Sequence, residues 1–261
     1  MRFLRLLPFV FLPSVLFAQV QSSATQDPQA VTVLNQALAA AGGATAHRAI
    51  TDYTGSGSIT YHGNPDVQGA VSIKGLNAIA IRIDATLSKG IRSWAIHDGV
   101  ATLKSEDGKL SGAAYPNPSS VPFPYQTPLF PSSIAFPYHQ LTVALASPTF
   151  SISYKGIVQV DGHSVHDIEV QRVSAGGVDP MSQYHAREFF IDATTFQIVM
   201  TQDLVPKNVT HQIHYSNYTA VSGVLVPFAI TEDLDGQATW TIQLSQMTFN
   251  AGLQDSAFVL Q

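Results

Sequence analysis

The sequence contains no cysteine among its 261 residues. Structural disulfides and a lipidated N-terminal cysteine are therefore both excluded. Charged residues are also scarce, at 12% of the chain, and the formal net charge is −5. Because no cluster of lysine or arginine could follow a phosphate backbone, we predict that nucleic acid is not a partner.

Long hydrophobic runs are missing except at the start of the chain. There Arg2 and Arg5 precede an apolar run over Leu6–Phe17, and Ala18 follows it. This pattern predicts a signal peptide over residues 1–18, and the alternative is an uncleaved N-terminal anchor. No later segment approaches the roughly 20 apolar residues of a membrane helix. We therefore expect a soluble periplasmic protein without a transmembrane segment once the signal is removed.

A helix is the clearest local prediction after a spacer over residues 19–27. Asp27 and Pro28 supply an N-cap and a first-turn proline, and Gly42 and Gly43 supply a stop. The apolar residues between them fall on one helical face: Val31, Leu34, Leu38 and Ala41. We predict a helix over residues 28–41 at the start of a single domain that covers residues 28–261.

Strands are predicted for most of the remaining chain, because apolar residues recur at every second position, as in Trp240, Ile242 and Leu244. Between such stretches stand four Asp-Gly pairs, which suit tight hairpin turns. The pairs are Asp98-Gly99, Asp107-Gly108, Asp161-Gly162 and Asp235-Gly236. Chain reversal is then local, which predicts an antiparallel sheet and a mainly β (α+β) fold. Gly55 and Gly57 suggest a bulge or close packing in the first strand.

A Pro-rich insertion over residues 115–138 interrupts this pattern. Seven prolines within it exclude a central strand or a helix interior. Its six large aromatic residues predict either a fixed loop that closes one end of the core or a mobile lid, with Phe123, Tyr125, Phe130 and Phe136 as candidate lid residues. One or two helical turns are predicted around Leu141 to Ala146.

Motifs for catalysis are also lacking. The chain has no Gly-x-Ser-x-Gly elbow, no Ser-x-x-Lys and no Gly-rich phosphate loop. Asp167 and Glu169 share a predicted strand face, but two carboxylates in similar environments are more typical of a solvated surface than of an acid and base pair. We therefore name no catalytic residue.

Two histidine pairs with a spacing of three are the remaining candidates for a metal site: His163 with His166, and His211 with His214. Residues three apart on a strand point to opposite faces. Without cysteine ligands or a His-Glu-x-x-His motif, we interpret them as surface histidines and predict no metal or other cofactor.

Three motifs give the chain a family resemblance. They are Val160-Asp161-Gly162, the run Glu188-Phe-Phe-Ile-Asp-Ala-Thr-Thr195, and Gly223-Val-Leu-Val-Pro-Phe228. Together with the signal peptide and the early helix, this order of elements resembles the LolA-like family of periplasmic lipoprotein carriers and their relatives that bind regulatory envelope proteins. The resemblance implies a curved antiparallel sheet that forms an open half-barrel. In this chain the N-terminal helix and the Pro-rich loop would cover the concave face.

The same resemblance implies that acyl chains bind on the concave face. Large aromatic and aliphatic side chains could line such a cavity, although the sequence alone favours an ordinary core for them. We predict an apolar ligand site formed by Trp94, Ile96, Phe228, Trp240, Ile242 and Leu244. Our leading hypothesis is a non-catalytic binding protein for a lipid or the acyl chain of a lipoprotein. The alternatives are an envelope protein-interaction module without lipid cargo and, less favoured, an exported hydrolase.

Overall fold

The computed structural model describes residues 24–77, 80–97, 100–112, 134–173, 186–205 and 208–261. Three helices, α1 to α3, occupy Pro28–Ala40, Ala44–Arg48 and Pro137–Ala146, and a 3₁₀ helix occupies Asp255–Phe258. The described residues form thirteen strands, β1 to β13. They are Asp52–Tyr61, Val67–Leu76, Ala80–Leu87, Gly90–His97, Val100–Lys104, Leu110–Gly112, Phe150–Val160, His163–Arg172, Ala186–Asp192, Ile198–Val205, Val209–Val221, Val224–Leu234 and Gln237–Phe249.

All thirteen strands belong to one antiparallel sheet with the order β6-β5-β4-β3-β2-β1-β13-β12-β11-β10-β9-β8-β7. Consecutive strands pair with each other within β1 to β6 and within β7 to β13. Strand β1 also pairs with β13, so that the two halves of the chain meet in the middle of the sheet. The edge strands β6 and β7 are not paired with each other, and α3 lies in the chain segment that connects them. The predicted open half-barrel is therefore confirmed.

Two of the predicted Asp-Gly hairpins are confirmed as tight turns. Asp161 and Gly162 connect β7 to β8 with φ of 50° and 80°, and Asp235 and Gly236 connect β12 to β13 with φ of 51° and 78°. Positive φ at both central residues is the geometry that matches the right-handed twist of paired strands. The pair Asp98-Gly99 lies outside the described residues.

The prediction of a tight two-residue turn is wrong at Asp107-Gly108. These residues lie in a longer loop between β5 and β6, and Gly108 has a positive φ of 84°. The carboxylate of Asp107 accepts hydrogen bonds from the hydroxyl of Ser105 and the backbone N–H of Lys109. This side-chain bonding stabilises a wider loop, which the dipeptide alone does not reveal.

Helix α1 begins as the sequence predicts. The Asp27 carboxylate accepts from the backbone N–H groups of Gln29, at 2.7 Å, and Ala30, at 3.3 Å. The helix stops where Gly42 adopts a φ of +111°, and a Cβ there would lie 2.4 Å from the carbonyl oxygen of Gly223. Only glycine therefore fits this contact between the helix end and the β11–β12 turn. The short helix α2 that follows was not predicted.

The predicted bulge in β1 is also present. The register between β1 and β13 shifts between Ser56 and Gly57, and a Cβ at Gly57 would lie 2.0 Å from the carbonyl oxygen of Gln243.

Helix α3 begins at Pro137, four residues earlier than predicted. The residues Ile134 to Phe136 that precede it are buried, and so are Pro137 and Tyr138 in its first turn. Within the described residues, no helix is long and apolar enough to cross a membrane.

The main core lies between the three helices and one face of the sheet, which we call the inner face. Helix α3 packs against α1, α2 and β7. On the opposite, outer face, Phe258 and Leu260 are buried beside β3 and β4, where Arg82 donates to the carbonyl oxygen of Ala257. The helices therefore cover one face of the half-barrel, and the C-terminal segment covers part of the other.

Candidate functional site

The six predicted ligand residues all lie in or against the main core. Trp94 and Ile96 are on β4 and are buried, and so are Trp240, Ile242 and Leu244 on β13. Phe228 on β12 is half-buried and packs against the same cluster. The fold therefore brings these residues to one inner face, with β1, β2 and β3 between the β4 pair and the β13 set. Ligand contact by these residues stays a prediction.

Of the predicted lid residues, Phe136 is described, whereas Phe123, Tyr125 and Phe130 lie outside the described residues. The Phe136 ring is buried, with its centroid 5.2 Å from that of His47 on α2 and 5.5 Å from that of Phe249 on β13. This side chain therefore anchors the start of α3 against the end of the sheet.

Tyr138 and Gln140 join α3 to the sheet through hydrogen bonds. The hydroxyl of Tyr138 accepts from the backbone N–H of Ile198 at 3.2 Å, and the hydroxyl of Tyr218 donates to the carbonyl oxygen of the same residue at 2.5 Å. The side-chain carbonyl of Gln140 accepts from Arg187 at 3.0 Å. Helix α3 is thus fastened near a β10 irregularity, between Ile198 and Met200, where the ladder is interrupted.

A small pocket opens beside Phe136, where α3 meets the start of β1. Its cavity volume is about 10 Å³, which is room for about one water molecule. The lining comes from Ile50, Thr51, Asp52, Tyr53, Asn77, Phe136 and His139. The carboxylate of Asp52 already accepts from the backbone N–H groups of Ala251 and Gly252. Burial lowers the pKa of His139, so that its ring is neutral at pH 7. The pocket is therefore uncharged apart from a carboxylate that the backbone already holds.

A row of four buried charged side chains crosses the inner face near the other end of the sheet. We call it the charged row: Arg187 on β9, Asp203 on β10, His211 on β11 and Glu232 on β12. Arg187 Nε donates to Asp203 at 2.8 Å, His211 Nδ1 lies 2.8 Å from Asp203, and His211 Nε2 lies 3.1 Å from Glu232. The hydroxyl of Thr239 on β13 donates to Glu232 and extends the row.

The electrostatics of the row keep it balanced. Burial alone would lower the pKa of His211, but the carboxylates of Asp203 and Glu232 outweigh it and raise the pKa to about 9. Burial would likewise raise the pKa of Asp203, yet Arg187 and His211 hold it below its usual value. The row thus carries two positive and two negative charges at neutral pH, and each charged group has an oppositely charged neighbour.

Sequence reasoning did not identify this row, and the interpretation of His211 as a surface residue was wrong, since its side chain is 2% exposed. The alternation of inward-facing residues on β11 and β12 does indicate these buried polar positions. His211 precedes the inward-facing Ile213 and Tyr215 at the same two-residue period, and Glu232 follows Ile230 in the same way. Polar residues that continue an inward-facing alternation indicate a buried polar cluster.

The other histidines do not join His211. His163 is exposed, whereas His166 is half-buried and accepts or donates a 3.0 Å hydrogen bond with the Tyr154 hydroxyl. His214 points to the opposite face from His211, as the strand geometry predicted, and its Nδ1 lies 4.0 Å from Asp161. No group of three His, Asp or Glu residues in the described ranges is placed to hold a metal ion.

The carboxylates Asp167 and Glu169 lie on β8 in partly buried positions, together with Glu188 on β9. Glu169 is directly opposite Glu188 in the ladder and 3.2 Å from the ammonium of Lys155. Burial and the charge of Glu188 raise the pKa of Asp167 to about 6. These groups are therefore less fully solvated than predicted, and their mutual repulsion costs stability at neutral pH.

No protein-family model matches this sequence, and no curated protein sequence matches it. Similarity appears in solved structures. A LolA superfamily protein from Nitrosomonas europaea superimposes with a TM-score of 0.56 at 9% identity, over 88% of this chain and 97% of the other. The chain has a LolA-like fold.

Two further structures share this LolA-like fold. A domain from Vibrio parahaemolyticus that is named for outer membrane lipoprotein sorting gives a TM-score of 0.53 at 10% identity, over 88% of this chain and 96% of that one. A DUF1329 family protein from Desulfovibrio piger gives a TM-score of 0.53 at 10% identity, over 89% and 99%. At these identities the similarity establishes the fold and leaves the ligand to be argued from the site.

Proposed function

We propose that this protein is a non-catalytic binding protein of the periplasm, which holds an apolar ligand against the inner face of its half-barrel. The ligand is a lipid or the acyl chain of a lipoprotein. The observation that carries the proposal is that helices cover the inner face of the sheet. The inner face is apolar over most of its area, and short separate helices cover it where a sandwich would have a second sheet.

A cover of this kind can be displaced. Helix α3 spans ten residues and belongs to the segment between the edge strands β6 and β7, which do not pair with each other. It is joined to the sheet through Tyr138 and Gln140. When the helix moves, the apolar area that it releases is available to another apolar group. Each buried methylene contributes about 0.8 kcal/mol, so a partly enclosed acyl chain binds in the micromolar range after the costs of association.

The test is native mass spectrometry of the mature protein purified from an envelope fraction, followed by solvent extraction and identification of bound molecules. A co-purifying lipid or acylated protein supports the proposal and identifies the cargo class. A protein that carries nothing and also fails to take up added acyl chains contradicts it.

Adjacent residues on β13 provide a matched pair of variants. Leu244 faces the core, whereas Gln243 is exposed on the outer face. We expect Leu244→Gln to weaken uptake of a fluorescent acyl chain by roughly tenfold, because a buried leucine contributes about 1.5–3 kcal/mol of apolar transfer energy. Gln243→Leu should leave uptake unchanged. Equal affinities for the two variants would argue against the inner face as the binding surface.

A second candidate function, a protein-interaction module, is favoured by the β7 edge. Ile157 is 59% exposed and Val158 is 37% exposed on this edge strand. Its strand partner is β8, and among the described residues Gln26 forms an isolated bridge to it at Ile152. Exposed apolar residues on an unpaired edge favour the addition of an extended strand from a partner. Under this alternative, Ile157→Lys abolishes partner binding and leaves acyl-chain uptake intact. Loss of neither property in that variant would argue against the edge.

A further inference from the structure

Trp240 occupies the position next to the charged row on the inner face. It lies on β13, directly opposite Glu232 on β12 and directly opposite Tyr61 on β1. The whole residue is buried, with 0% of its surface exposed. Its indole ring therefore stands at the boundary between the charged row and the apolar part of the inner face, which continues along the same strand through Ile242 and Leu244.

The indole nitrogen of Trp240 has no hydrogen-bond acceptor within reach among the described residues. Indole is a donor only, and a buried donor without a partner is costly. The nearby carboxylate of Glu232 is not its partner. The oxygens of Glu232 accept from His211 and Thr239 instead. The inner face thus presents one unused donor at the edge of its polar region.

The surroundings of this donor define the acceptor that fits it. The charged row is balanced by its own ion pairs, so it offers no excess positive charge to a phosphate or a carboxylate. An anionic group at Trp240 would also lie beside the Glu232 carboxylate, and like charges in a buried site are unfavourable. An uncharged carbonyl oxygen accepts the indole N–H without either penalty.

We propose that the Trp240 indole N–H donates to the carbonyl oxygen of an uncharged acyl ester or amide. The carbonyl of the ligand then lies at the charged row, and its hydrocarbon chain runs along Ile242 and Leu244. The distance along the strand from Trp240 to Leu244 is about 13 Å at roughly 3.3 Å per residue, which accommodates a large part of an acyl chain. This inference rests on the proposed function, since it assigns an orientation and a chemical class to the same ligand.

The test compares two probes that differ only in the carbonyl group: monopalmitoylglycerol and the matching hexadecyl glycerol ether. We expect the wild-type protein to bind the ester about fivefold more tightly, the size of effect that one neutral hydrogen bond produces. Trp240→Phe should remove this preference, so that the variant binds ester and ether with equal affinity. Trp94→Phe, on β4, is the matched aromatic substitution on the same inner face; it should change the affinities for ester and ether by the same factor and so keep the preference.

A spectroscopic measurement gives a second readout that does not depend on the folding of the Trp240 variant. In Trp94→Phe, Trp240 is the remaining tryptophan of the chain. Its emission should shift to longer wavelength when the ester binds and should shift less with the ether. An isotope-labelled ester carbonyl should show a lower infrared stretching frequency when bound than in a dry apolar solvent.

The outcomes separate this inference from the function on which it rests. Equal binding of ester and ether by the wild-type protein, or an ester preference that persists in Trp240→Phe, would overturn the Trp240 contact and leave the apolar site in place. Failure of the wild-type protein to bind either probe would overturn the proposed function and this inference together.

Discussion

Removal of the Asp203 carboxylate should be strongly destabilising, because this group stands between two buried cations. It accepts from Arg187 Nε at 2.8 Å and lies 2.8 Å from His211 Nδ1, and the side chain is 1% exposed. Breaking a buried ion pair by removing one partner costs about 3–5 kcal/mol. In Asp203→Asn, His211 can release its proton, whereas Arg187 stays charged. We therefore expect a loss of about 3–4 kcal/mol in the free energy of unfolding.

The assay is urea unfolding at pH 7, with Asp84→Asn as the control. Asp84 also pairs with an arginine across 2.9 Å, but this pair with Arg82 lies on the outer face and is partly exposed. Its loss should cost about 1 kcal/mol or less. A double substitution, Asp203→Leu with Arg187→Met, should recover much of the lost stability, because apolar replacement removes both desolvation penalties. If Asp203→Asn and Asp84→Asn have equal effects, the account of the charged row is wrong.

Three further predictions concern pH and backbone geometry. The free energy of unfolding should fall by about 3 kcal/mol between pH 6.5 and about 9, because the ion pairs of protonated His211, which raise its pKa to about 9, stabilise the protein below pH 6.5 and are lost as the ring releases its proton. His211→Gln should flatten this pH dependence in urea unfolding. Asp167→Asn should stabilise the protein by about 1 kcal/mol at pH 8, after allowance for solvent screening, and should have no effect below pH 3.8, because the raised pKa of Asp167 costs stability only where the carboxylate is ionised in the unfolded chain. Equal effects at both pH values would contradict this prediction. Gly42→Ala should lower the free energy of unfolding, measured by thermal or urea unfolding, by at least about 3 kcal/mol, because its Cβ would meet the Gly223 carbonyl. Gly43→Ala should lower it by about 1 kcal/mol, because Gly43 also has a positive φ of +93° but has no neighbour within 4 Å of the added Cβ.

Local signals in the sequence were sufficient for several elements of the fold. The Asp27 cap and the glycine stop determine α1, and the Asp-Gly turns at Asp161 and Asp235 determine two hairpins. Each of these signals acts within a few residues, so the pattern carries the geometry with it. Their success explains why an antiparallel sheet could be predicted without knowledge of the strand order.

Features that depend on tertiary packing were predicted less well. Helix α2 is five residues long and has no side-chain cap, so its sequence carries little helical signal, and its buried His47 packs against Phe136 and Tyr138 of the distant α3 segment. The start of α3 was misplaced for the same reason. A short helix whose stability comes from its neighbours cannot be located by local pattern alone.

The candidate site shows the same division. Alternation predicted that Trp240, Ile242 and Leu244 share one face of their strand, and all three are buried in the main core. It did not show that Asp203 and His211 would meet, because that contact depends on the register between two strands and not on either strand alone. Register across a sheet follows from the turns and from all the side chains on the buried face, which a reading of single strands does not combine.

The central claim, that an acyl chain binds on the inner face, is tested most directly by tryptophan quenching. The chain has two tryptophans, and both lie on that face. Addition of a bromine-labelled acylglycerol should quench the emission of both residues, separately resolved in Trp94→Phe and Trp240→Phe, with saturation at one ligand per protein. Binding without quenching, or no saturable quenching at all, would contradict the account.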